Sequence, residues 1–147
     1  MYGGKTLKRW MTILIFFKSK WGDRPKGIKI FFYIYMLGFL WGTVSHVLDI
    51  WHGGFMPYNA SPLLLNVYWT SLTFFDPLAI FLLFYFPYAG MALAVFIMIS
   101  DIAVNLYVTY VFNHGDIFSS WILVSQILFG LFIFITVPVA WKRLKHH

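Results

Sequence analysis

Between Lys29 and Lys142 the chain contains no lysine or arginine, and that interval is filled by long apolar runs. A water-soluble fold of this length cannot leave so much of its surface without charge, whereas a chain crossing a bilayer must. At about 20 residues per crossing the interval holds four spans. They are read as residues 28–50, 62–86, 89–112 and 118–140. The expected fold class is therefore all-α, an integral membrane four-helix bundle.

The basic residues set the expected orientation. Lys5, Lys8, Arg9, Lys18, Lys20, Arg24, Lys26 and Lys29 precede the first long apolar stretch, and Lys142, Arg143 and Lys145 follow the last. By the positive-inside bias both termini are expected in the cytoplasm, which agrees with an even number of crossings. The chain is expected to be organised as a basic segment 1–27, a membrane domain 28–141 and a basic tail 142–147. Within the first segment Leu7, Trp10, Leu14 and Phe17 recur at helical spacing beside Lys and Arg, which predicts an amphipathic helix lying on the membrane surface. The sequence pI of 9.6 thus points to anionic lipid as a partner and gives no reason to expect nucleic acid, because the charges flank apolar spans. With no cysteine, thiol chemistry and disulfides are excluded.

Asp49, Asp76 and Asp101 fall in three different spans, and the chain has no glutamate. An aspartate at a span centre costs about 2.5–3.5 kcal/mol on insertion scales, so each must face the protein interior or water. Helical spacing tells which faces these are. Gly38, Gly42, His46 and Asp49 form one stripe on the first span, Asn66, Trp69, Thr73 and Asp76 another on the second, and Ala94, Asp101 and Asn105 a third. Gln126 and Gly130 mark the corresponding face of the fourth. At 1.5 Å per residue Asp76 and Asp101 both fall near mid-membrane, close enough to touch, with His46, Asn66, Asn105 and Gln126 roughly 6–13 Å further out.

Pro77 follows Asp76 directly. Proline has no N–H, so the carbonyl of Thr73 is freed, and an Asp-Pro pair is a good helix start; the second span is expected to kink or break there. Irregular backbone at that depth is tolerated only against protein or a cavity. A polar chamber is therefore expected, floored by Asp76 and Asp101 and lined by His46, Asp49, Asn66, Trp69, Thr73, Asn105 and Gln126.

Two carboxyls in a dry site cannot both be ionised without a cation, so the pair must share a proton or hold a bound amine or metal. Three chemistries follow. The acids, with the faces of Trp69 and Trp41, can stabilise an amine or a carbocation-like state. They can carry protons in an exchanger, which for four short helices implies a homo-oligomer. A metal site is not expected, because in "HVLDIWH" His52 falls off the face of His46 and Asp49. No cofactor is expected either, since there is no phosphate-cradling loop, no HExxH and no facing pair of haem-ligating histidines. The bland alternative for Asp101 with Asn105 is interhelical glue in a structural or assembly subunit.

The stretches "LWGTVSHVLDI", "FFDPLAIFLLF" and "ISDIAVNLYVTYVF", within residues 30–140, resemble the EXPERA family of four-span membrane proteins, which includes emopamil-binding sterol isomerases and the sigma-2 receptor. That resemblance implies paired pocket acids at Asp76 and Asp101, the catalytic candidates. It implies a sterol-like, lipid-like or amphiphilic amine ligand, and isomerase-type proton chemistry as one use of the site.

Overall fold

The computed structural model describes Gly22, residues 24–112 and residues 120–146. The amphipathic helix expected around Leu7, Trp10, Leu14 and Phe17 lies outside these residues, as does the link 113–117 between the third and fourth expected spans. Four helices are present: α1 Lys26–Gly53, α2 Leu63–Tyr85, α3 Pro87–Phe112 and α4 Trp121–Lys145. All four are long and apolar enough to cross a membrane. Each packs on its chain neighbour, and α4 closes on α1, so the fold is an all-α bundle of sequential up-and-down helices.

The helices depart from the expected spans at their ends, where local chemistry decides. α1 starts after Pro25 and runs to Gly53, until Gly54, at a φ of 82° that favours glycine, turns the chain and donates its N–H to the Ile50 carbonyl at 2.9 Å. α4 begins at Trp121 because Ser120 caps it, accepting from the Leu123 N–H at 3.3 Å. Its last turn carries Lys142, Arg143 and Lys145, complementing the negative end of the helix dipole.

Pro87 follows directly on the residues read as the second span, and it opens α3. Its missing N–H costs nothing at a first helical position, and Phe86 alone links the two helices. This tight reversal depends on Gly90, which packs directly against the backbone of Leu82 and Leu83. Arg24 adds a tie at the same end, donating to the Phe84 carbonyl at 3.3 Å with its guanidinium 5.4 Å from the Phe32 ring centre.

Call the end holding Lys26 and Lys145 the basic end, and the end holding residues 54–62 the loop end. The basic half is packed hydrocarbon: Phe32, Tyr35 and Phe39 of α1 meet Leu83, Met91, Ile133 and Ala140. Phe31 and Tyr35 set their rings edge-on to Phe132, and Phe39 sets its ring edge-on to Phe129. A buried polar link in this region joins residues that satisfy each other, Tyr35 and Thr136, whose hydroxyls lie 2.6 Å apart. The exterior is apolar throughout the spans, with Trp41, Phe74, Phe96 and Ile135 exposed, while Asn66, Thr70, Asp76, Asp101 and Thr109 are inside. An interior more polar than the surface is the pattern of a protein whose solvent is lipid.

Candidate functional site

Asp76 lies on the inner face of α2 and is 4% exposed. It can sit there because Gly42 of α1 has no side chain: a Cβ at that position would overlap Asp76 Oδ2. The stripe of small residues on α1 thus has a specific use, which is to admit this carboxyl between the two helices. Among the described residues nothing donates a hydrogen bond to it. One turn away, Thr73 Oγ1 is also buried without a partner, and the Thr73 carbonyl has lost its helical donor to Pro77. Three unmatched polar groups therefore share one face of α2 at mid-span.

α2 nevertheless runs without interruption through Pro77, so the expected break, with Asp76 capping a new helix, does not occur. Pro77 points outward, and only a single intrahelical bond is lost, which the remaining turns absorb.

Asp101 on α3 is 7% exposed. Unlike Asp76 it is anchored: Asn105 Nδ2 donates to its Oδ1 at 2.8 Å and to its carbonyl at 2.9 Å. The two acids lie within Coulombic reach of each other. Along the bundle axis their backbone positions are offset. α2 and α3 are in register where Gly90 touches Leu83; counted outward from there at 1.5 Å per residue, Asp101 stands about 6 Å nearer the loop end than Asp76. The site is a staggered pair in which one carboxyl is held and the other is open.

Tyr68, on the α2 face shared by Leu72 and Asp76, reaches across to donate to Ser100 Oγ at 2.9 Å, within electrostatic range of both acids. The sequence reading missed Tyr68 and Ser100. Spacing of i, i+4 and i+8 with Asp76 was the available signal.

A second polar group closes the loop end. Tyr58 donates to Asp49 Oδ2 at 2.6 Å, and His46 Nδ1 lies 3.1 Å from the same phenol oxygen. With the phenol proton committed to Asp49, the imidazole must be the donor of that second bond, which fixes the proton on Nδ1. Burial, reinforced by the hydrogen bond to Asp49, pushes the Tyr58 phenol well above its ordinary value. Asn66 holds the loop in place, its Oδ1 accepting from the Tyr58 N–H at 3.2 Å and its Nδ2 donating to the Met56 carbonyl at 3.2 Å. Trp69 supports the Tyr58 ring edge-on at 5.0 Å.

The predicted lining residues thus divide. Asp76, Thr73, Asp101 and Asn105 form the mid-span site; His46, Asp49, Asn66 and Trp69 are occupied in fastening Tyr58 over it. Gln126 stands apart on α4 with its Oε1 buried and unpartnered among the described residues. Trp41 is 75% exposed and faces the exterior, away from any bound cation in the bundle. Among the described residues no three histidines or acids gather where a metal ion would need them. On the α1 side of the acids Gly42 brings the helix close against Asp76, and a separate cavity of about 500 Å3 opens at the basic end. Compared with known protein families, characterised proteins and solved structures, the chain matches none.

Proposed function

We propose that this protein binds an amphiphilic amine within the membrane, with the ammonium head on Asp76 and the apolar body among the helices. The observation that carries this reading is the state of Asp76: a carboxyl buried at mid-span with no hydrogen-bond donor among the described residues, beside the unmatched hydroxyl and carbonyl of Thr73. Asp76 lacks a donor among the described residues, and the buried Thr73 hydroxyl with the freed carbonyl beside it adds to the cost of leaving that face unmatched. A primary or secondary ammonium supplies the missing charge and the N–H donors together. Asp101, anchored by Asn105 and within Coulombic reach of Asp76, adds a second negative field, which favours a cation over a neutral donor. The basic end is taken to face the cytoplasm, so the ligand enters from the outer leaflet or past Tyr58. The resemblance to EXPERA proteins points toward a sterol-like or lipid-like body, and proton transfer through the two acids is the chemistry such a site would support.

Proton-coupled transport would use the same acids. Against it stands the hydrocarbon packing of the basic half, where Phe32, Phe39, Leu83, Met91 and Ile133 leave no polar route onward. The two readings separate in one experiment on the purified chain. A long-chain primary amine should raise the thermal midpoint of the wild type, the alcohol of equal chain length should do so much less, and Asp76→Asn should abolish the difference, with no proton flux into liposomes in either case. Wild-type flux abolished by Asp76→Asn would establish transport in place of binding. Identical behaviour of wild type, Asp76→Asn and Asp101→Asn in both assays would leave only a structural role.

A further inference from the structure

The end of the bundle opposite the acids carries a site of the opposite sign. A cavity of about 500 Å3 opens between the entry to α1 and the last turns of α4, lined by Pro25, Val139, Lys142, Arg143 and His146. Gly27 of α1 lies beside Arg143: a Cβ there would sit 3.3 Å from its Nη1, so the missing side chain leaves the guanidinium its room. The acids among the described residues are Asp49, Asp76 and Asp101, and none of them lines this cavity. Among the described residues the charge on its lining is therefore cationic. The carbonyls at the end of α4 oppose an anion with about half a unit of negative charge, and Lys142 and Arg143 outweigh that several-fold.

Depth identifies the class of anion. Tyr88 and Trp141 pair edge-on at 4.8 Å on the outside of the bundle, one residue from Lys142, and both remain partly exposed. Paired amphipathic rings on the outer surface of a membrane helix sit at the level of the lipid head groups. The cavity lies at that level: Val139, Lys142, Arg143 and His146 follow one face of α4, apolar at Val139 and cationic toward the helix end, with Pro25 as a further apolar contact. A free anion would use only the cationic part. A phospholipid uses both parts.

We propose that this cavity binds the head-group phosphate of an anionic phospholipid, gripped by Arg143 with Lys142 and His146 beside it, while Val139 and Pro25 receive the glycerol and the first methylenes. The planar guanidinium suits the paired oxygens of a phosphate better than an ammonium does. The site is independent of Asp76 and does not depend on what the mid-span acids bind.

The test titrates the full chain, in a neutral detergent, with phosphatidylglycerol, phosphatidylcholine and inorganic phosphate, followed by native mass spectrometry. Phosphatidylglycerol should bind more tightly than phosphatidylcholine, and inorganic phosphate should not displace it. Arg143→Gln should weaken phosphatidylglycerol roughly tenfold, the loss expected for one charge-assisted hydrogen bond. Lys145→Gln removes the same charge outside the cavity and should change binding less than about twofold, as for an exposed charge. Gly27→Leu, which keeps every charge of the chain but crowds the Arg143 guanidinium out of its position, should also reduce binding, so the proposal is tested even where Arg143→Gln fails to fold. Equal losses in Arg143→Gln and Lys145→Gln would overturn the site in favour of diffuse surface charge. Displacement by inorganic phosphate, or equal affinity for phosphatidylcholine, would overturn the lipid assignment.

Discussion

Gly42→Ala separates the role of Asp76 in binding from its role in stability. An added Cβ falls inside van der Waals contact of Asp76 Oδ2, with Asp76 Cγ at 3.5 Å, so the oxygen must retreat to the ordinary contact range of 3.4–4 Å. That is a displacement on the order of 1 Å. The obstacle is the end of a side chain, not backbone, which places the overpacking cost at the low end of its usual range, about 1 kcal/mol. Replacing glycine by alanine inside a helix returns about 0.8–1.0 kcal/mol, so the net change in stability should be close to zero. Binding has no such offset. An ammonium held by a charged hydrogen bond worth about 1.5–3 kcal/mol loses much of it when the acceptor moves, and amine affinity should fall roughly ten- to a hundredfold. The assay is a double-mutant cycle with Asp76→Ala, scored by reversible unfolding in mixed micelles and by titration with a long-chain primary amine. In the Asp76→Ala background Gly42→Ala should become stabilising and should have no further effect on the amine. Additive stability effects within about 0.5 kcal/mol would show that the two residues do not touch. Unchanged amine affinity in Gly42→Ala would refute Asp76 as the acceptor of the head group.

Gly90→Ala should be more harmful than Gly42→Ala or Gly38→Ala, because its Cβ would meet the main chain at 2.6 Å from Leu83 Cα and 2.7 Å from the Leu82 carbonyl carbon. The one-residue link at Phe86 cannot widen cheaply, and a loss near 3 kcal/mol, the upper end of overpacking costs, is expected by denaturant unfolding. At Gly38 the obstacle is the Phe129 ring, which can tilt. Tyr58→Phe keeps the ring against Trp69 and removes the phenol bonded to Asp49 and His46. Because the folded protein holds that phenol above its ordinary value, the stabilisation it gives is complete below about pH 10 and is lost as pH rises through the folded value. Thermal midpoints should therefore converge at high alkalinity, with the wild type falling faster than Tyr58→Phe; parallel profiles would remove Tyr58 from the network.

The spans were legible because lipid enforces a simple rule at every residue, and their ends were not, because ends are set by single contacts. A proline after an apolar run can close one helix or open the next, and at Pro87 the choice rests on whether Gly90 lets two backbones meet. The stripe carrying Asp76 and Thr73 was readable from a 3.6-residue period, as were Asp101 and Asn105. What Gly42 makes room for was not readable, since the period shows a smooth face and not the residue facing it. Loop residues were least accessible: Tyr58 is positioned by Asn66, eight residues later, and nothing in the local pattern says that the amide will spend its oxygen and nitrogen on the loop backbone.

The same division explains why the polar groups favour a bound ligand over a path across the membrane. Conduction needs hydrogen-bonding groups at successive depths that can exchange partners. From the loop end inward this bundle has them: Asp49, Tyr58 and His46, then Asn66 and Thr70, then Asp101 with Asn105, then Asp76 with Thr73. Below Asp76 the series stops at Ala79, Leu83, Met91 and Ala94, and the next buried polar groups, Tyr35 and Thr136, are already spent on each other and on the Phe132 carbonyl. A proton or ion reaching Asp76 would have to part that packed hydrocarbon to continue. A molecule with a charged head and an apolar body meets no such barrier, because its destination is the last polar group in the series and the remainder of its surface is compatible with everything around it.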